Sequence, residues 1–232
     1  MKILIVGFGR SGTTMTFRTI RSNPLVKGSF LESCLLAFYN KEKLYQKHPC
    51  FNSSVVEKII YGGDKLRKRA FGTLDISIFD YCKMWLDYFE DEARIVQLIR
   101  HPLDTLSSLI IKSGRRKKVR KNLKEITIND IPLDFRERLI SSYFKVVPKY
   151  PKLISTLPNT QTFKYEGLVL DGFKELFDFC GLPANFGETM RRDRAFNYRR
   201  SGFNVDSPIR ETVQEFNKLV RKRKYTVPRG SK

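Results

Sequence analysis

Apolar residues along the chain fall into two kinds of run. Ile3–Val6 and Ile95–Ile99 are short and continuous, the pattern of strands buried on both faces of a parallel sheet. Val55–Tyr61 is also largely apolar, and Thr160–Tyr165 reads as a further short strand. Stretches with helical spacing alternate with these runs. Phe17 and Ile20 mark a helix that Thr13 and Thr14 open and that ends near Asn23-Pro24. Within Ile76–Phe89, the positions Ile78, Cys82, Trp85 and Phe89 form one stripe, expected to pack in the core. A helix is predicted after Pro102, and Phe135, Leu139, Tyr143 and Val147 mark another, stopped by Pro148. The last has Phe173, Leu176, Phe177 and Cys180 as its core face, Asp171 as its cap, and Gly181 with Pro183 as its stop. Alternating strands and helices predict an α/β fold: a central, mostly parallel sheet with flanking helices.

The segments between these elements carry the polar features. Phe30-Leu31, Leu35-Leu36 and Phe38-Tyr39 make an apolar segment that includes Glu32. Residues 41–52 mix polar and aromatic positions, with Pro49 as a breaker, and read as a surface excursion. Gly62-Gly63-Asp64-Lys65 reads as a turn. Residues 112–124 hold Lys112, Arg115, Arg116, Lys117, Lys118, Arg120, Lys121 and Lys124, with little apolar anchoring, and read as a loop or lid. No internal repeat and no second domain is visible. The expectation is one domain over residues 1–226, with 227–232 a tail in which Val227-Pro-Arg-Gly-Ser231 looks like the remnant of a protease-cleavage tag.

Composition narrows the partner. The chain has 232 residues, enough for one α/β domain with a sizeable core, and 41% hydrophobic residues argue against disorder. The formal net charge is +20, which implies an anionic partner: a polyanionic cofactor, an acidic glycan, nucleic acid or a membrane surface. Cys34, Cys50, Cys82 and Cys180 are widely spaced, with only His48 and His101 to assist, so neither a zinc site nor a disulfide framework is expected. No apolar stretch approaches membrane-spanning length and no leader is visible, which predicts a cytoplasmic protein or one trimmed of its anchor.

The chemistry concentrates at Gly7-Phe-Gly9-Arg10-Ser11-Gly12-Thr13-Thr14, where a strand, a glycine loop and a helix start follow one another. Converging backbone N–H groups and the positive end of the helix dipole make such a junction an anion cradle. Three patterns use it. Gly7-x-Gly9-x-x-Gly12 fits the dinucleotide-binding fingerprint, but the second strand that fingerprint requires falls on Asn23–Glu32, broken by Pro24 and Gly28. The triphosphate-binding loop needs Lys after its last glycine, and Thr13 stands there, which disfavours phosphoryl transfer from ATP. In the third pattern, the phosphosulfate loop, a cation precedes Ser-Gly-Thr-Thr, as Arg10 does here. Arg100, at the end of the strand Ile95–Ile99, is expected to face the same crevice, because open α/β sheets bind ligands at the carboxyl ends of their strands.

Three segments resemble the sulfotransferases that use 3′-phosphoadenosine 5′-phosphosulfate, in that family's order. Arg10-Ser11-Gly12-Thr13-Thr14 resembles the 5′-phosphosulfate loop. Arg100-x-Pro102-x-Asp104-x-x-x-Ser108 resembles the 3′-phosphate motif. Tyr165-Glu166-Gly167-Leu168 with Phe179-Cys-Gly-Leu-Pro183 resembles the Tyr-Glu-x-Leu strand and the helix after it. The loop looks closest to bacterial-type and Golgi-type carbohydrate or tyrosyl-protein members. The resemblance implies a sulfotransferase fold and transfer of a sulfuryl group to a hydroxyl or amine, with no metal. Gly9, Arg10, Ser11, Gly12, Thr13 and Thr14 would hold the 5′-phosphate, Arg100 and Ser108 the 3′-phosphate, and Arg200 with Gly202 would match a late basic-glycine loop over the nucleotide. Lys65 would contact the transferring group.

Sulfuryl transfer builds charge on the leaving phosphate, so positioning and electrostatics should dominate by analogy with phosphoryl transfer. The acceptor needs a general base. Glu32 is the first candidate, on the spacing the resemblance implies, and Asp64 the second; His48 and His101 are weaker. A carbohydrate is the favoured acceptor, and the basic run suits an acidic glycan. Two alternatives stay open: a nucleotide kinase or NTPase, and a basic nucleic-acid-binding protein without catalysis, although nucleic acid is not the expected partner.

Overall fold

The computed structural model describes residues 1–61, 65–68, 72–100, 105, 149–170 and 173–183. Met1–Arg100 with Ser142–Arg192 form one compact unit, and His101–Ser141 with Asp193–Lys232 a second. All the elements below belong to the first. Of the helix expected after Pro102, Thr105 alone lies within the described residues, and it is helical.

The first unit is an α/β layer structure. Its sheet runs in the order β2 (Val26–Leu31), β3 (Ser54–Tyr61), β1 (Lys2–Phe8), β6 (Ala93–Ile99), β7 (Thr160–Lys164), every pair parallel. A separate antiparallel pair, β4 (Lys65–Lys68) and β5 (Gly72–Ser77), follows β3. β1 lies at the centre and is buried along its whole length, which explains its unbroken apolar run.

Both faces of the sheet are covered. Ile3 and Ile5 of β1, Val56 of β3 and Leu98 of β6 pack with Phe17 and Ile20 of α1 (Thr13–Arg21) in one cluster. Leu168 of α5 (Tyr165–Leu170) and Leu176 and Phe177 of α6 (Lys174–Phe179) close the same cluster. Ile78, Tyr81, Cys82, Trp85, Leu86 and Phe89 of α3 (Ile78–Phe89) are buried, so the predicted stripe is core. Trp85 donates Nε1–H to the Lys2 carbonyl at 3.0 Å, tying that helix to the central strand. A short helix, α4 (Tyr150–Ile154), precedes β7. The Gly181 N–H donates to the Asp178 carbonyl and the Leu182 N–H to the Phe177 carbonyl, the pair of hydrogen bonds with which a glycine at φ 61° ends α6. Asp171, expected to cap that helix, lies outside the described residues.

Two local expectations are corrected and a third is refined. Residues 26–31 do form a strand despite Pro24 and Gly28. Pro24 sits in the preceding turn, and the register shifts between Val26 and Gly28. A Cβ at Gly28 would come within 2.6 Å of Cys50 Sγ and 2.9 Å of Val55, so the glycine admits its neighbours rather than breaking the strand. Residues 41–52 lie largely at the surface, as expected, but are ordered and anchored. Asn40 caps α2 (Lys41–Lys47), accepting from the Lys43 N–H at 2.9 Å, while Leu44 and Phe51 are fully buried. Phe51 stacks between Phe30 and Phe89 at centroid distances of 5.4 and 5.6 Å. Finally, Tyr165-Glu-Gly-Leu168 is the start of α5, not a strand. Its buried residues, Tyr165 and Leu168, are three apart, which is one helical face.

All four cysteines are free thiols, and Cys34, Cys82 and Cys180 are buried. Burial pushes the Cys82 and Cys180 thiols up, as expected of inert core residues. Among the described residues no helix is long and apolar enough to cross a membrane.

Candidate functional site

Strand order tests the dinucleotide-binding pattern in a way the loop residues alone do not. In the dinucleotide-binding fold, the second strand lies beside the first. Here β3 is inserted between β1 and β2, so the fingerprint reading fails on topology. The strand over residues 26–31, expected to be broken, is formed.

The loop Gly9–Gly12 joins β1 to α1. The Ser11 N–H donates to the Phe8 carbonyl at 3.0 Å, closing a turn, and the Gly9 N–H reaches the Tyr61 carbonyl of β3 at 3.3 Å. Met15 and Thr16 donate to the Gly12 carbonyl, which starts the helix. The N–H groups of Gly12, Thr13 and Thr14 precede the first carbonyl an α-helix can offer and are the donors a helix start presents. Thr13 is buried and Thr14 exposed.

The glycines serve different ends. Gly12 takes φ 97°, and a Cβ there would run into the Tyr165 ring. At Gly7, inside β1, a Cβ would meet Ser11 Oγ at 2.5 Å, Thr13 Cγ2 at 2.7 Å and the Leu98 carbonyl at 3.0 Å, so the loop folds down onto the strand. A Cβ at Gly9 meets nothing within 4 Å, and it is Arg10, at φ 75°, that takes the left-handed turn. Ser11 Oγ is buried with no hydrogen-bond partner among the described residues.

Arg100 arrives at the loop from the end of β6. Its Nη1 donates to the Arg10 carbonyl at 3.1 Å, and its guanidinium lies 5.2 Å from the Tyr165 ring centroid. The crevice expected at the strand ends therefore brings the glycine loop and Arg100 together. The Arg10 side chain is exposed. Burial raises the Tyr165 hydroxyl pKa, while the positive charges of Arg100 and Arg10 pull it down.

Glu32 stands just past β2 at φ 55°. Its N–H donates to the Lys58 carbonyl at 2.7 Å, and its Oε1 receives the Lys58 ammonium at 2.8 Å. The same Nζ reaches Thr14 Oγ1 at 3.1 Å. Lys58 thus links Glu32 to the first turn of α1. Its side chain is only 4% exposed, and that of Glu32 is 17% exposed. The next residue back on β3, Glu57, points to the opposite face and is wholly buried. It accepts from the Tyr81 hydroxyl at 2.8 Å and from the Leu35 N–H at 3.3 Å. Burial raises its pKa to about 7, against hydrogen bonds from Tyr81 and from the backbone of residues 33–35 that lower it.

Neither Lys58 nor Tyr165 was singled out as a site residue from sequence, although Glu57-Lys58 in the middle of an otherwise apolar strand was a visible signal. His48 packs among Phe30, Tyr39 and Phe51 instead, and burial lowers its pKa. Lys65 opens β4. Asp64, His101, Ser108, Arg200, Gly202 and the basic run 112–124 lie outside the described residues.

No family model and no curated protein matches this sequence. Among solved structures, the chain is similar to the mouse sulfotransferase SULT7A1 complexed with PAP, with TM-score 0.49 and 15% identity over 84% of this chain. It spans 63% of that chain's length. It is also similar to an unliganded sugar kinase from Janibacter sp., with TM-score 0.39 and 8% identity over 81% of this chain and 98% of that one. Neither likeness is close enough to carry a functional argument, so the reading rests on the site itself.

Proposed function

We propose that the chain is a sulfotransferase that moves a sulfuryl group from 3′-phosphoadenosine 5′-phosphosulfate to a hydroxyl or amine, with a carbohydrate as the favoured acceptor and residues 1–226 as one catalytic domain. The supporting observation is the hydrogen bond from Arg100 to the Arg10 carbonyl, which sets the strand-end arginine beside the glycine loop. Two anion-binding devices at that spacing suit a nucleotide phosphorylated at both 3′ and 5′ positions.

The loop N–H groups, Arg10 and the hydroxyls of Thr13 and Thr14 would hold the 5′ end and stabilise the charge that builds on the leaving phosphate. Arg100, with Ser108, would hold the 3′-phosphate. Glu32 would take the acceptor's proton. Asp64 is the second candidate for that base, Lys65 would contact the transferring group, and Arg200 with Gly202 would cover the nucleotide.

The kinase reading keeps one point in its favour. Lys58 brings a buried cation to the start of α1, so the missing loop lysine does not leave the cradle without one. Calorimetric titration of adenosine 3′,5′-bisphosphate, with 5′-AMP and ATP as controls, tests the assignment. Preference for the bisphosphate is expected; preference for ATP, or no binding, overturns it.

A further inference from the structure

We propose that Lys58 is a positioning residue of the anion cradle, shared between Glu32 and whatever anion the cradle holds. The inference rests on the reading above. An ammonium has three N–H donors and no acceptor. Two of the Lys58 donors go to Glu32 Oε1 and Thr14 Oγ1, and no third acceptor is in reach among the described residues.

Two consequences follow from the chemistry of these three groups. Because Thr14 Oγ1 accepts from an ammonium, its own hydroxyl proton is turned away and polarised, ready to donate to an anion at the start of α1. Because Glu32 holds the same ammonium, its carboxylate offsets the Lys58 charge that the anion would otherwise feel in full. Lys58 and Glu32 therefore act on anion binding with opposite signs. Face alternation makes the arrangement possible. Lys58 pairs in register with Ile5, whose side chain lies on the α1 side of the sheet, so the lysine rises toward the helix while Glu57 turns to the other face.

The test compares adenosine 3′,5′-bisphosphate with adenosine 3′-phosphate, which lacks only the 5′ group, and uses inorganic pyrophosphate as a second probe. Lys58→Met is expected to weaken the bisphosphate about tenfold while moving adenosine 3′-phosphate by less than about twofold. A structural collapse would weaken both alike, and equal loss overturns the proposal. Lys58→Met also breaks a mostly buried ion pair and puts folding at risk. Glu32→Gln, which keeps an acceptor for Lys58, supplies the second measurement. It is expected to tighten bisphosphate binding about threefold, with the gain absent in the double variant. Unchanged or weaker binding overturns the proposal. If wild-type protein ignores the nucleotides but binds pyrophosphate with the same dependence on Lys58 and Glu32, the proposed function fails and this inference stands. If it binds neither probe, both fail.

Discussion

Glu57 should make this protein less stable as the pH rises through neutrality. The carboxyl is fully buried in β3, and burial raises its pKa from 4.5 to about 7 despite the hydrogen bonds it accepts. The sign follows from proton binding. Between those two values the native state keeps a proton that the unfolded chain has lost, so stability is greatest at the acid end and falls as pH rises through about 7. The whole displacement is worth about 3 kcal/mol, at about 1.4 kcal/mol per tenfold change in proton affinity. From about pH 5 to about pH 8 the loss is about 2.5 kcal/mol. Glu57→Gln removes the titration and keeps an oxygen to accept from Tyr81. Urea unfolding of both proteins across that range isolates the effect. The wild type should lose about 2.5 kcal/mol relative to the variant, and any constant cost of the amide cancels. A difference that stays flat from acid to alkaline pH would refute the reasoning and show that the carboxyl is already ionised in the folded protein at low pH. The result bears on the site as well, because Glu57 accepts from the Leu35 N–H and so anchors the segment just beyond Glu32.

Other perturbations address the cradle directly. Gly12→Ala, at φ 97° and facing the Tyr165 ring, should lower stability by about 1–3 kcal/mol, whereas Gly9→Ala should be nearly neutral; thermal melts showing equal effects would contradict the close approach at Gly12. Arg100→Ala should weaken adenosine 3′,5′-bisphosphate about 10–100-fold but 5′-AMP far less, and equal losses by calorimetry would reject the clamp. Glu32→Gln should cut sulfuryl transfer about 100-fold or more without loss of nucleotide affinity, and unchanged turnover with labelled donor would remove Glu32 as the base.

The sequence by itself determined the α/β class, the central strands, the helix stripe of α3 and the glycine cradle. Each is a local matter: continuous apolar runs need burial on both faces, and a strand running through glycines into a helix start exposes backbone donors wherever it occurs. Only the tertiary structure decided the strand order. Pairing β3 rather than β2 against β1 depends on the path of the crossovers, which no periodicity records. That order, and not a break at Pro24 or Gly28, is what departs from the dinucleotide-binding arrangement. Burial of Phe51 was likewise hidden, because it stacks against Phe30 and Phe89, which come from distant parts of the chain. The same holds for the Lys58, Glu32 and Thr14 cluster. Its residues lie 26 and 44 positions from Lys58 along the chain. They meet because β2 ends alongside Lys58 in the parallel sheet, which sets Glu32 beside it, and because Lys58 rises from the face that α1 covers, where Thr14 opens the helix.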